Sequence, residues 1–386
     1  MPGDLHTHSS CSDGSTPIEK LPWLAACAGL DWLAISDHDT NRSVRYAYAH
    51  PEQNGVKLIP AVELTAYDYG REHRVHILCY YPDDCEALAR HTAVMDKRRY
   101  DAVYQSCKEL EEICPQFKTE EALEFAKDSG TLYKAHVMRV LWQYGLSDGM
   151  YNTVYRSLFG LRPVRGKILH TPVYETVDTI LNLIQECRGV AVLAHPSVYH
   201  SMPLARELIA AGRLDGVEID HPRNTEEDKA ELEQLAAEYG LIVTGGTDYH
   251  GMNTNTPHPV GTCTTADEQI ARIRALAEAR KKVKPPTAKN KTEQENKKEQ
   301  TIMTYERRNK GTCSVMTKVE LNPDHTIESV EVLGGCNGNL KGICQLLKGM
   351  KAEDAIERMK GTLCGSKPTS CPDQIAITLE EALQKL

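Results

Sequence analysis

The stretch Asp4-Leu-His-Thr-His-Ser-Ser-Cys-Ser-Asp13 places two imidazoles two residues apart and a carboxylate five residues further on. In an extended strand, residues i and i+2 project to the same side, so His6 and His8 point into one space. Asp13 returns from a Ser/Asp/Gly turn that can carry a carboxylate over the end of that strand. Imidazole with carboxylate is a ligand set for Zn, Mn or Fe. The alternative is a polar N-terminal strand, and the remaining chain decides between them.

The elements that must position such a site alternate. Thr16-Pro17-Ile18-Glu19 reads as a helix start with a capping box, and Gly29 as the stop of a helix of about a dozen residues. Strands are expected at Trp32–Ser36, Lys57–Thr65 and Val75–Tyr80. From about 84 to 170 the character changes: a long charged helix (Asp84–Ile113) and shorter helical pieces at 119–129, 134–144 and 150–159 form a helical insertion. Alternation then resumes, with helices at 176–188, 203–211, 225–239 and 267–282 around strands at 190–194, 216–219 and 241–244. Strands alternating with helices predict a parallel sheet with crossover helices. Chemistry is then expected at the C-terminal ends of the strands, as in barrel enzymes.

Nine residues fall at such strand ends: His6, His8, Asp13, His38, Glu63, His76, His195, Asp248 and His250. Each alone has an ordinary explanation. Together they point to metal, because buried imidazoles and carboxylates without partners are costly. Nine ligands exceed what one ion takes and suit a cluster of two or three, with Glu63 a natural bridge. Close divalent ions lower the pKa of water and clamp both oxygens of an in-line displacement at phosphorus. Neither a Gly-x-Ser-x-Gly elbow nor a phosphate-binding Gly-x-x-x-x-Gly-Lys loop occurs.

Asp-Leu-His-Thr-His-Ser, Ser-Asp-His-Asp-Thr, His-Ile-Leu-Cys-Tyr, Ala-His-Pro and Gly-Thr-Asp-Tyr-His-Gly resemble, in order from about residue 3 to 255, the motifs of the PHP (polymerase and histidinol phosphatase) phosphoesterases. The resemblance implies an α/β fold, a distorted (β/α)7 barrel with a helical insertion, and two or three divalent ions (Mn, Fe or Zn). One ion would take His6, His8 and Asp248 with Glu63 bridging; a second Glu63, His76 and His195; a third Asp13, His38 and His250. Asp13, His38, Glu63, His195 and Asp248 are the residues expected to carry catalysis by a metal-activated hydroxide. His73 is read as a loop residue, since His76 directly heads Ile-Leu-Cys-Tyr.

The insertion and the short Asp-Leu-His opening look like the branch that hydrolyses nucleoside 3',5'-bisphosphates and trims short oligoribonucleotides from the 5' end, the RNase AM-like group. There, basic residues of the insertion hold the substrate phosphate; the matching positions are Arg99, Lys134 and His136. That branch has Arg-Pro-His where this chain has Lys134-Ala135-His136, and lysine lacks the bidentate fork of arginine. Arg98 and Arg99 are both weighed also as a solvated helix face, and His221 in Ile-Asp-His-Pro-Arg is a minor candidate for the site.

Pro285-Pro286 and a Lys/Glu/Asn/Gln run without an apolar residue from 289 to 300 predict a flexible linker over 284–300 after a barrel of 1–283. Residues 301–386 read as a small α+β domain, with three strands (302–307, 312–321, 326–334) before helices at 338–349, 353–359 and 373–385. Gly334-Gly-Cys336-Asn-Gly and Thr369-Ser-Cys371-Pro-Asp373 resemble the TSCPD domain. Cys313, Cys336, Cys364 and Cys371 sit at turn-rich positions that suit a thiol or metal site, or simply small core residues.

The chain has 386 residues, 13 cysteines and a net charge of -9. That charge argues against a nonspecific nucleic-acid coat. Cysteines without framework spacing fit a reduced compartment, and the absence of a signal or a membrane-length apolar run makes cytoplasm the expected location. The expected partner is a phosphorylated nucleotide or short RNA substrate. Two other functions stay open: a small-metabolite phosphatase of the histidinol-phosphate type, and a metal- and nucleotide-binding regulatory module without turnover.

Overall fold

A computed structural model describes residues 2–161, 163–282, 303–365 and 367–385. The expected linker, 284–300, lies outside the described residues. The chain divides into two compact units, Met1–Val283 and Lys284–Leu386.

The first unit holds a nine-stranded sheet whose seven principal strands curl into a nearly closed barrel, with the two-residue strands Glu52–Gln53 and Glu175–Thr176 paired alongside. The seven are β1 (Gly3–Thr7), β2 (Trp32–Ile35), β3 (Val56–Asp68), β4 (His73–Tyr80), β5 (Val190–Leu193), β6 (Gly216–Asp220) and β7 (Ile242–Gly245), adjacent in that order. Backbone bonds from Asp248 N to His6 O and from His8 N to Tyr249 O, both 2.8 Å, join the chain just beyond β7 to β1. Gly246 permits this close approach, since a Cβ there would lie 2.3 Å from the Cβ of His6.

Among the seven principal strands, the all-parallel expectation fails at one. β4 runs antiparallel to both β3 and β5. Only residues 69–72 separate β3 from β4, too few for a crossover helix, so the two form a hairpin. Strand alternation on this hairpin sets the inside of the barrel. Val62, Leu64, Val75, Ile77 and Cys79 pack outward against helices, while Ile59, Ala61, Leu78 and Tyr80 pack inward with Leu5 and Val192. Glu63, Arg74 and His76 share the inward parity.

The expected helix start at Thr16 also differs. Ile18–Lys20 form a 3-10 turn without a side-chain cap, and the α-helix is Leu21–Cys27. Thr16 instead pairs its hydroxyl with the Tyr249 hydroxyl at 2.9 Å, a tertiary contact that outcompetes the local capping box. A further helix, Arg42–Ala49, follows β2.

The insertion carries helices Glu86–Ile113, Thr119–Phe125, Lys134–Gln143 and Thr153–Phe159. They close over a core of their own that includes Val103, Leu110, Phe117, Leu132, Met138 and Phe159. The second unit has an antiparallel sheet of β8 (Met303–Arg308), β9 (Ser314–Leu321) and β10 (Ile327–Gly334), followed by helices Asn337–Leu347, Ala352–Met359 and Cys371–Leu383. Val319, Leu321, Ile327, Ile375 and Leu379 fill its core. Among the described residues no helix is long and apolar enough to cross a membrane.

Candidate metal centre

All nine candidate ligands come together at one end of the barrel. His6 and His8 of the β1 segment are fully buried, with ring centroids 5.2 Å apart. Glu63 is the hub. Its Oε1 lies 2.8 Å from His76 Nδ1 and 3.0 Å from His195 Nε2. Its Oε2 lies 3.2 Å from both His6 Nε2 and His8 Nε2, and 3.1 Å from His38 Nδ1. Asp248 Oδ1 stands 3.2 Å from His8 Nε2 and 3.5 Å from His250 Nδ1. Asp13 Oδ1 stands 3.4 Å from His250 Nε2 and 3.9 Å from His38 Nε2.

Ligand atoms converge within metal-binding reach in five groups. Two match the expected sets, His6–His8–Asp248 and Asp13–His38–His250, the second joined by His8. Glu63 groups with His38 and His76, and separately with His6 and His195. The fifth group, His6–Glu218–His221, contains a carboxylate that motif spacing did not single out.

Two observations show that the residues fit cations. His6 Nε2, both ring nitrogens of His8, Asp13 Oδ1, His38 Nδ1 and Glu63 Oε2 are buried yet make no hydrogen bond among the described residues. Leaving that many polar atoms unpaired is costly unless a ligand satisfies them. Electrostatics point the same way. Burial would raise the Glu63 carboxyl, but His76, His38 and His6 outweigh it and hold it well below the usual range. Burial would lower His6, but Glu218, Glu63 and Asp248 drive it well up. The pocket therefore demands positive charge, which divalent ions supply without protonating the ligands.

The backbone is also strained here. Asp39, His195 and Asp248 have φ of 49°, 26° and 53°, a left-handed region that costs non-glycine residues on the order of 1–3 kcal/mol each. Such strain persists only where surrounding contacts over-determine it. At Asp39 those contacts are the Thr65 amide at 2.8 Å and an ion pair with Arg99.

A cavity of about 780 Å³ opens over the cluster, lined by Asp13, His38, His76, His195, Asp248 and His250. Arg74, Arg99, Lys134 and Arg223 line the same cavity, with Tyr133, Tyr151, Tyr155, Tyr174 and Tyr199. Arg99 bonds Asp39 and lies 4.6 Å over the Tyr133 ring. Lys134 and Arg74 form no ion pair among the described residues. Burial, reinforced by Arg74, Arg99 and Arg165, lowers the Lys134 ammonium to about 7.

A scan against family descriptions matches the PHP domain over residues 4–186 and the TSCPD domain over residues 286–383. A phosphoribosyl 1,2-cyclic phosphate 1,2-diphosphodiesterase of Eggerthella lenta is 36% identical over 257 residues, 66% of this chain and 96% of that protein. The chain belongs to the PHP family. It is a metal-dependent phosphoesterase carrying a TSCPD domain. Other similar PHP relatives are the 3',5'-nucleoside bisphosphate phosphatase of Chromobacterium violaceum, 29% identical over 64% of this chain and 86% of that one. The 5'-3' exoribonuclease Rnm of Escherichia coli is 28% identical over 64% and 84%. Among solved structures, a Bifidobacterium adolescentis protein assigned as a metal-dependent phosphoesterase superposes with a TM-score of 0.64 at 25% identity, covering 71% of this chain and 96% of that one.

Within this PHP site, several sequence expectations are refined. His136 is buried and accepts the Tyr133 amide on Nδ1 at 3.2 Å, capping the helix Lys134–Gln143. Burial lowers it to about 4, and it is not among the residues lining the cavity. Arg98 bonds Glu175 at 2.7 Å and the Val173 carbonyl at 2.9 Å, a structural use. His73 belongs to β4 rather than a loop, with parity opposite to His76. His221 lines the cavity with Nε2 3.4 Å from Asp248 Oδ2, and its Nδ1 accepts the Arg223 amide. Its proton therefore sits on Nε2, facing Asp248.

Glu218 and Arg74 were missed. Glu218 accepts from His6 Nδ1 and from the His195 amide, both 2.9 Å, and so fixes the His6 ring with Nε2 toward the cluster. Strand parity was the available signal for both. Arg74 sits two residues before His76 on one strand, and Glu218 lies on the inward side of β6, opposite in parity to Val217 and Ile219.

The cysteines of the TSCPD unit contrast with this cluster. Cys313, Cys336 and Cys364 are exposed, and no trio of ligand atoms among the described residues includes any of the four. Cys371 opens the last helix and accepts a hydrogen bond from Ser314 Oγ at 3.2 Å. Burial raises its thiol, but Ser314, Cys313 and Thr312 outweigh that and lower it.

Proposed function

We propose that this PHP phosphoesterase hydrolyses a phosphate ester of a ribosyl unit that carries a second phosphate. Nucleoside 3',5'-bisphosphates and the 5' ends of short oligoribonucleotides are the first candidates, with a phosphoribosyl cyclic phosphate beside them. The observation that carries this reading is a single cavity lined both by the candidate ligands and by Arg74, Arg99 and Lys134. The named activities of the three relatives share that substrate chemistry. The proposed working parts are the barrel of 1–283 and a separate TSCPD unit of 301–386 tethered by 284–300.

His6, His8 and Asp248, then His76 and His195, then Asp13, His38 and His250 would hold two or three ions of Mn, Fe or Zn, with Glu63 shared. When bound, such ions supply Lewis-acid stabilisation to phosphoryl oxygens and make water acidic at neutral pH. Glu218 orients His6. His221 presents its Nε2 proton toward Asp248 Oδ2, and Arg223 donates to the same oxygen at 2.6 Å. Arg99 and Arg74 offer fixed cationic charge to a second phosphate. Lys134 adds a charge that anion binding favours. The tyrosines give the sugar or base apolar faces with hydroxyl edges.

The test is phosphate release by metal-stripped protein reconstituted with Mn. Adenosine 3',5'-bisphosphate, a phosphoribosyl cyclic phosphate, 5'-phosphorylated RNA and histidinol phosphate are compared. Turnover of one of the first three well above histidinol phosphate is expected. Turnover of histidinol phosphate alone would move the chain to the small-metabolite reading, and binding of metal and nucleotide without turnover would leave a regulatory module.

A further inference from the structure

The insertion and the helix Val177–Glu186 together form the crossover from β4 to β5, and the two ends of that crossover meet. Cys85 caps the N-terminus of the helix Glu86–Ile113. Cys187 follows the last turn of the helix Val177–Glu186, which leads into β5. These residues are 102 apart in sequence, yet their Sγ atoms lie 2.9 Å apart. A disulfide needs about 2.05 Å, less than an ångström closer. The same neck is tied by the Asp83 amide, which donates to the Cys187 carbonyl at 2.8 Å, and by an ion pair between Asp83 and Arg188. The backbone on both sides is therefore held in place while the sulfurs face each other. Cys85 is half-buried and Cys187 buried.

We propose that Cys85 and Cys187 are a reversible disulfide site that staples the neck of the crossover that carries the insertion. The inference is independent of the substrate reading. The oxidant class is a low-molecular-weight disulfide. The Cys85 thiol, the more accessible of the two, loses its proton and attacks one sulfur of the oxidant, releasing one thiol and leaving a mixed disulfide. Cys187 then gives up its proton and attacks Cys85 Sγ, releasing the second thiol. Two protein thiols are oxidised and one small disulfide is reduced to two thiols. Burial pushes the Cys187 thiol up, so the second step is slow until the neck breathes. A cross-link over so long a loop removes more unfolded-state freedom than one over a short loop, so the oxidised chain is the more stable form.

The experiment equilibrates the full chain with oxidised and reduced glutathione, traps free thiols by alkylation, and maps non-reduced peptides by mass spectrometry. The expected result is one cross-linked peptide pair containing Cys85 and Cys187, two hydrogens lighter than the separate peptides and lost on reduction. The oxidised chain should unfold several degrees higher than the reduced chain, and Cys85→Ser should abolish both the cross-link and the shift while keeping phosphoesterase activity. Separate alkylation or separate glutathionylation of Cys85 and Cys187 across the redox series would overturn the proposal. So would a cross-link of Cys85 to Cys79, the third cysteine of the same core. The peptide map is read on the natural chain, so a poorly folding variant would not blunt it.

Discussion

The barrel rim and the TSCPD unit both carry residues able to bind metal, and the fold treats them differently. At the rim, five imidazoles surround the single carboxylate of Glu63, four of them buried and His38 half-buried, and several ring nitrogens lack hydrogen-bond partners among the described residues. In the TSCPD unit, three of the four singled-out thiols face solvent, and Cys371 accepts a hydrogen bond from Ser314. Ligand chemistry in a sequence becomes a site only where backbone elements force the side chains together and exclude water. The barrel strands and the loops after them do that; on the three-strand sheet no such grouping occurs among the described residues.

The sharpest way to break that contrast is at the hub. Glu63→Gln should lower phosphoester hydrolysis by more than about 100-fold, beyond the loss typical of partners behind the ligands, and reduce bound metal measured by elemental analysis. Cys313→Ser or Cys364→Ser should leave both readouts unchanged; comparable losses from a cysteine variant would erase the distinction. Glu218→Gln tests the support of the ligands. It should cost about 10–100-fold in activity or metal affinity while circular dichroism keeps the folded signal.

Smaller effects separate the ligand rim from the cationic lining of the same cavity. Arg74→Ala should raise KM for a bisphosphate about 10-fold or more, in line with ~1.5–3 kcal/mol for a hydrogen bond to a charged group, and raise it less for a monoester. Equal effects on both substrates would place Arg74 at the reacting phosphate instead. Lys134 should show itself through pH. Its folded-state pKa is about 7, below the ordinary lysine value, so it carries charge below that pH and loses it above. Affinity for a second phosphate should therefore fall as pH rises through about 7, by at most tenfold per unit, and Lys134→Arg should flatten the slope. An unchanged slope in the arginine variant would exclude Lys134 as its origin.

Much of this was legible in the residues themselves. The nine candidate ligands are picked out by motif, although Glu63 and His76 lie within β3 and β4 rather than at their ends, and the helices of the insertion fall near their expected ranges, because hydrophobic periodicity and turn residues are local signals. Glu218 and Arg74 were not singled out because an isolated charge on a strand looks like a solvent-facing residue until the side of the sheet is known. Arg98 and Arg99 are neighbours in sequence. A helix turns each residue by a hundred degrees, so one bonds Glu175 and the other lines the cavity with Asp39.

The sequence by itself determined the ligand types, their order along alternating elements and the PHP relationship, since motifs of this kind are read one segment at a time. Only the tertiary structure decided that β4 runs antiparallel, that His136 serves its own helix, and that Cys85 and Cys187 meet across 102 residues. Those outcomes depend on contacts between segments far apart in the chain, where the energy of packing and burial outweighs local preference.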